Sequence, residues 1–261
     1  MNELPDVEAR NVVQVYDAIA SHFDSTRFAV WPGVRAFLDG LKHNSLVLDI
    51  GCGNGKYIKY ANCGSSSGAT SRRRLWMIGS DVSASLSAIT ASHASECVVA
   101  DGLRSPYRSS CADAVISIAV LHHISSEARR IDAVRELLRL LRVGGTLLIY
   151  VWAREQQDEA ATVSKWTAVN EKNDFLVPWT VLASGARTSN DDRVQRALNA
   201  GGELLDDDIQ KQAVRLYRFY HVFQRNELED LIQKHFSDVA RILHSFYEKS
   251  NWAVVCEKLE T

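Results

Sequence analysis

The chain has 261 residues, 46% of them hydrophobic, and a formal net charge of −2. That length suits one α/β domain carrying an insertion, with enough apolar side chains for a true core. The near-neutral balance excludes a protein drawn to nucleic acid or membrane by its overall field, so any RNA contact must rest on local basic groups. The five cysteines are scattered without zinc-ligand spacing and read as reduced thiols. No stretch reads as an apolar signal segment or reaches the length of a membrane span. The expectation is a soluble protein of the cytoplasm or nucleus, with no membrane partner and no metal.

Residues 7–23 carry Val12, Val15, Tyr16, Ile19 and Phe23 at helical spacing. A loop through Arg27 and Trp31 leads to Pro32, well placed as the first residue of a second helix. A short apolar strand, 46–50, ends in Asp49-Ile50-Gly51-Cys52-Gly53-Asn54-Gly55, and a helix follows from about Lys56 to Ala61. Residues 62–74, small and polar and then Arg72-Arg73-Arg74, read as a flexible surface loop. The triplet suits either a solvated charge run or a phosphate contact. Strand two, 75–79, ends at Ser80-Asp81, and a short third strand, 97–100, ends in Asp101. A nearly all-apolar strand, 113–120, reads as buried in a parallel sheet and runs into Leu121-His122-His123. A helix over about 126–142 should be stopped by Gly144-Gly145, with strand five at 146–152. Residues 154–213, rich in charges, serines and asparagines, read as an insertion that is partly disordered when alone. Order should return at 217–223. A helix over about 225–235 and two strands, 238–245 and 251–258, would complete the chain as an antiparallel edge.

Strands alternating with helices indicate a Rossmann-like, doubly wound, mostly parallel sheet, here with an antiparallel C-terminal edge, the pattern of a class I methyltransferase. The expected organisation is one such domain over 1–261, with the 62–74 loop and the 154–213 insertion. In such sheets the ligand sits at the carboxyl ends of the strands. This chain places Asp49, Gly51, Gly53, Asp81, Asp101 and His122-His123 there. Glycines at alternate positions let bare backbone approach a ligand. A dinucleotide oxidoreductase uses a related turn, but the acid before the first glycine suits a ligand with a positive end, such as the amino-acid part of S-adenosylmethionine. Asp81 is placed to accept from ribose hydroxyls and Asp101 from the adenine amine, with Cys52, Val82, Gly102 and Ile118 completing the cofactor set. Each acid alone also reads as a cap or turn former; three at successive strand ends favour the ligand. His122 and His123 stand where a methyl acceptor would lie, or merely cap the next turn. Trp152, Tyr220 and His221 suit a base pocket or simple core packing.

The segment Tyr16-Asp17-Ala18-Ile19-Ala20-Ser21-His22-Phe23-Asp24-Ser25-Thr26-Arg27, followed by Trp31-Pro32, resembles the N-terminal signature of the eukaryotic tRNA wobble-uridine carboxymethyl methyltransferases, stand-alone or fused to an AlkB homologue. The likeness continues through the glycine turn, Ser117-Ile118-Ala119-Val120-Leu121-His122-His123, Ile149-Tyr150-Val151-Trp152-Ala153 and Arg218-Phe219-Tyr220-His221-Val222-Phe223. It implies methyl transfer from S-adenosylmethionine to the carboxylate of 5-carboxymethyluridine in tRNA, giving the methyl ester. It also implies a small zinc-binding activator subunit, forming a heterodimer through the strand at 97–100. A carboxylate nucleophile needs no general base, only positioning and a cation to hold it. Arg27 is the first choice for that cation, with His122, Trp152, Tyr220 and His221 shaping the base pocket. The competing readings are a small-molecule methyltransferase of the same fold and a non-catalytic family member acting as an interaction protein.

Overall fold

Five parallel strands, mostly apolar and, except for the one at the sheet edge, largely buried, form most of the larger of two sheets. The computed structural model describes residues 4–63, 75–93, 95–156, 165–182, 192–205 and 213–260. The parallel strands are β1 (Leu46–Ile50), β2 (Trp76–Asp81), β3 (Cys97–Val99), β4 (Ala112–Ile118) and β5 (Leu141–Trp152). The C-terminal edge is antiparallel: β10 (Ala240–Glu248) pairs with β11 (Asn251–Lys258), which pairs with β5. The seven strands run in the order β10-β11-β5-β4-β1-β2-β3. Helices cover both faces. Val134, Leu137 and Leu138 of α5 (Glu127–Leu140) pack on one side, together with Leu228 and Ile232 of α7 (Glu227–Phe236). Val34 and Leu38 of α2 (Pro32–Gly40) and Ile58 of α3 (Lys56–Cys63) pack on the other. Helix α4 (Ala84–Ser92) joins β2 to β3.

Three expectations change. The N-terminal helix is longer than 7–23: a turn at Asp6–Glu8 and a π-helical turn at Ala9–Val13 lead into α1 (Gln14–Thr26). Gly144-Gly145 does not stop α5. The helix ends at Leu140, Leu141 is already extended, and Gly144, at φ +71°, lies within β5 where its pairing with β4 is irregular. The insertion is more ordered than its composition suggests. Its strands β6 (Thr167–Ala168), β7 (Asp174–Leu182) and β8 (Glu203–Leu205) join β9 (Ala213–His221) in a second, antiparallel sheet ordered β6-β7-β9-β8. Helix α6 (Asp192–Asn199) lies on it. Trp179, Val181, Val214 and Leu216 of this sheet bury Val15 and Ile19 of α1, so the insertion folds because it has a helix to cover. Arg72-Arg73-Arg74 and most of the 62–74 loop lie outside the described residues. Among those described, no helix is long and apolar enough to cross a membrane.

Helix α1 is also clipped to the main sheet. Asp17 accepts from the Ser83 hydroxyl (2.5 Å) and from the Ser85 backbone N–H (3.0 Å) at the start of α4, where Ser83 is the N-cap. It thereby satisfies a backbone donor that the helix cannot satisfy itself. Replacing Asp17 by Ala should lower stability by about 1–2 kcal/mol, read as a lower urea midpoint with an unchanged slope. An unchanged midpoint would show that the clip carries no net energy.

Candidate functional site

The turn after β1 is built on glycines because its backbone is left-handed at three positions and crowded at two of them. Gly51 (φ +80°), Gly53 (φ +57°) and Gly55 (φ +70°) are all left-handed, and a Cβ on Gly51 would lie 2.2 Å from Val120 Cγ2. Beneath the turn, Asp49 is 1% exposed, and neither carboxylate oxygen has a hydrogen-bond partner. Burial, and then the charge of Asp81, push its carboxyl up to about 8, with Lys56 pulling the other way. Asp81 is buried as well but engaged: its oxygens accept from the backbone N–H groups of Gly53 (2.8 Å) and Ser83 (2.9 Å). Asp101 accepts from the Leu103 N–H at 2.9 Å.

Above these groups lies a cavity of about 340 Å³. Its floor includes Gly51, Cys52, Gly53, Asp81, Val82, Asp101, Gly102 and Ile118; Arg27, His122, Trp152 and Tyr220 line its other end. Two residues expected to line the cavity do not. Asp49 sits below the lining rather than in it. His221 points away, its ring held between Asp174 (2.7 Å) and Glu227 (2.6 Å). Strand alternation is the reason, since Tyr220 faces the cavity and its neighbour cannot.

The histidines are neutral by burial. Burial pulls His123 down to about 3, and its ring is fixed at both nitrogens: Nδ1 donates to the Phe219 carbonyl (2.8 Å) and Nε2 accepts from the Tyr16 hydroxyl (2.8 Å). His122 is also held well below its ordinary value, burial again dominating. Its Nδ1 accepts from the Trp152 N–H (3.0 Å), so Nε2 carries the proton. The His122 ring stacks on Tyr220 at 4.8 Å, and Trp152 lies 4.5 Å from Tyr220. These rings pack on one another and give the cavity an aromatic wall against which a planar group can lie.

The second sheet supplies what the sequence reading missed. Arg218 lines the cavity at 8% exposure and donates to the Tyr220 hydroxyl (2.8 Å), while its Nε is buried without a partner. No carboxylate pairs with it among the described residues. Its guanidinium stacks 4.5 Å from the Trp179 ring centroid, and Arg27 stacks on the same ring at 5.0 Å. Trp179 is itself fixed by donating Nε1–H to His22 (3.0 Å). One tryptophan from the insertion therefore sets two arginines. The available signal was register: Val214, Leu216, Arg218 and Tyr220 alternate as the inward face of β9, so a charge there is a buried charge. Lys56 and Lys249 add cationic groups to the lining. Burial, with the charges of Arg27 and Lys249, pulls Lys56 down to about 8 against the attraction of Asp49.

Residues 48–149 match a family model described as a methyltransferase domain. The chain is 37% identical to the tRNA (carboxymethyluridine(34)-5-O)-methyltransferase of Schizosaccharomyces pombe, over 97% of this chain and 98% of that one. It is 36% identical to the tRNA (carboxymethyluridine(34)-5-O)-methyltransferase alkbh8 of Xenopus tropicalis, over 97% of this chain but only 41% of that longer protein. Among solved structures, the DhpI–SAM–HEP complex superposes with a TM-score of 0.60 at 15% identity, covering 98% of this chain and 100% of that one; this likeness is one of fold.

Asp49 makes the ligand-free site pH-sensitive. Its ordinary value is 3.8, and the fold raises it to about 8. The folded protein thus binds the extra proton, and its stability is present at low pH and lost as pH rises from about 4 to about 8. Asp49→Asn should remove that loss, leaving the variant more stable than the parent at pH 8.5. Thermal melts of both proteins from pH 5 to 8.5 check this; parallel profiles would contradict the buried, unpaired state of Asp49.

Proposed function

The chain belongs to the tRNA (carboxymethyluridine(34)-5-O)-methyltransferase family, and from that membership we infer that it methylates the carboxylate of 5-carboxymethyluridine at the tRNA wobble position, using S-adenosylmethionine. The fit to the cofactor rests on Asp49. Two buried oxygens without partners call for a cationic group over the glycine turn, and the ammonium and sulfonium of S-adenosylmethionine supply one. Asp81 keeps lone pairs beyond its two backbone bonds, enough to accept from a ribose diol. Asp101, just after β3, would take the adenine amine.

The observation that carries the acceptor is Arg218, a buried guanidinium in the cavity wall with no carboxylate paired to it among the described residues. A planar fork of donors matches a carboxylate. Arg218 holds that carboxylate from the wall, and the more exposed Arg27 closes on it from the mouth. The uracil ring lies against the aromatic wall of His122, Trp152 and Tyr220, with His122 Nε2–H donating to a ring carbonyl. The cofactor supplies a methyl group on positive sulfur to the carboxylate oxygen. No proton moves, so the histidines orient and need not titrate. The apolar walls keep water from competing, and charge cancels as the bond forms, which a dry pocket favours.

The protein works as a heterodimer with a small zinc-binding activator, in the cytoplasm or nucleus where tRNA is met. The edge strand β3, with Val98 39% and Val99 55% exposed, offers the unpaired backbone and apolar side chains that an added strand would cover. Val99→Lys should abolish co-purification with such a subunit and leave cofactor binding in place. Retained co-purification would move the interface elsewhere.

With the activator present and cofactor saturating, Arg218→Ala should keep cofactor affinity but reduce methyl transfer to carboxymethylated tRNA on the order of a hundredfold or more. Arg218→Lys should also be impaired, because the charge remains without the fork. Arg27→Ala should act more on KM than on kcat, given its place at the mouth. Near-normal turnover in Arg218→Ala would remove it as the carboxylate anchor.

A further inference from the structure

Two thiols meet beneath the cavity. Cys52 Sγ, inside the glycine turn, lies 3.5 Å from Cys97 Sγ on β3. They belong to different strand–helix units and meet across β2, the strand between them, because Gly79 has no side chain. Gly79 is the register partner of Asp49 on one side and Cys97 on the other. A Cβ there would stand 2.7 Å from Cys52 Sγ, so any other residue would fill the space through which the sulfurs touch. Both cysteines are free thiols.

We propose that Cys52 and Cys97 are a peroxide-sensitive pair that closes to a reversible disulfide, tying the glycine turn to the edge strand and weakening cofactor binding. The two positions differ as a redox pair requires. Cys97 is partly exposed while Cys52 is 5% exposed and lines the cavity. Cys97, the more exposed of the two, is the thiol that peroxide reaches, and the hydrogen bond it shares with Cys52 draws its thiol down, which favours it as the attacking thiolate. The Cys97 sulfur takes oxygen from hydrogen peroxide as the O–O bond breaks, giving a sulfenic acid; the displaced hydroxide takes up the thiol proton as water. Cys52 Sγ then attacks the sulfenic sulfur, the S–O bond breaks, and the departing hydroxide leaves as a second water with the Cys52 proton. A dithiol reverses the link by exchange.

A disulfide needs its sulfurs about 2 Å apart, so closure must bring them together by more than an ångström, a movement that side-chain rotation, the turn and β3 would share. Gly53 N–H, which holds Asp81 at 2.8 Å, is the next residue in that turn. Closure therefore disturbs the carboxylate assigned to the ribose. The consequence for affinity rests on the cofactor reading; the link itself does not. Because coupling is reciprocal, bound cofactor should also disfavour closure.

The reduced full chain is treated with hydrogen peroxide, with and without S-adenosylmethionine, then alkylated and digested. The expected result is a Cys52–Cys97 cross-linked peptide, formed to a lesser extent with cofactor and lost on adding dithiothreitol. Calorimetry should show S-adenosylmethionine affinity reduced roughly tenfold in the linked protein and restored by reduction. Cys97→Ser and Cys97→Ala, at a position outside the cavity lining, should bind like the reduced parent before and after peroxide. A map without this link, or linked protein that binds like reduced protein, overturns the proposal. Reduced protein that fails to bind overturns the cofactor reading instead, and the peptide map still decides whether the pair closes.

Discussion

The structure depends on one constraint: β1 must end in a left-handed turn so tight that only glycine fits against Val120 and Thr90. That turn holds Asp49 below the ligand space, Cys52 against β3 and the Gly53 N–H against Asp81. The arrangement is costly without a ligand. A carboxylate buried with no donor is destabilising, and it sits close enough to Asp81 that the second charge pushes it further up. The cost concentrates at the cavity floor, where a positively charged ligand would relieve it. Such strain at a binding site is a common exchange of stability for function.

The second sheet answers a different need. A nucleophilic carboxylate must be held by cations without being left in water. In the proposed reaction the insertion would meet that need through one side chain, Trp179, whose ring carries Arg218 on the buried side and Arg27 nearer solvent. The sheet is fastened where its output matters. Phe223 N–H donates to the Trp152 carbonyl and Arg154 N–H to the Phe223 carbonyl, tying the chain just after β9 to the end of β5. Tyr220 and Trp152 thereby share one wall of the cavity. His221, turned outward, holds Asp174 and Glu227 and braces β7 and α7 against β9.

The main sheet was legible in the sequence because its strands are apolar runs that end in acids or in a glycine turn, signals that survive without tertiary context. The C-terminal hairpin was legible for the same reason. The second sheet was not. Its strands bury one face only, against a helix distant in sequence, as Trp179 does against His22, 157 residues away, so composition reads it as polar insertion. Arg218 was hidden by the same half-burial, since a charged residue in an amphipathic strand is ordinarily a surface residue. Asp49 and His221 were assigned to the cavity by position. One lies a layer too deep and the other one residue out of phase, distinctions that only strand alternation and packing decide.

The most direct test of the central claim is the chemical form of the product. Wild-type chain, together with the proposed activator subunit, is incubated with carboxymethylated tRNA and S-adenosylmethionine bearing a deuterated methyl, and the anticodon-loop nucleosides are analysed by mass spectrometry. One labelled methyl is expected on the wobble uridine, released by mild alkali to return the carboxymethyl nucleoside, as an ester must be. Label that survives alkali, or that appears on another nucleotide, would contradict it.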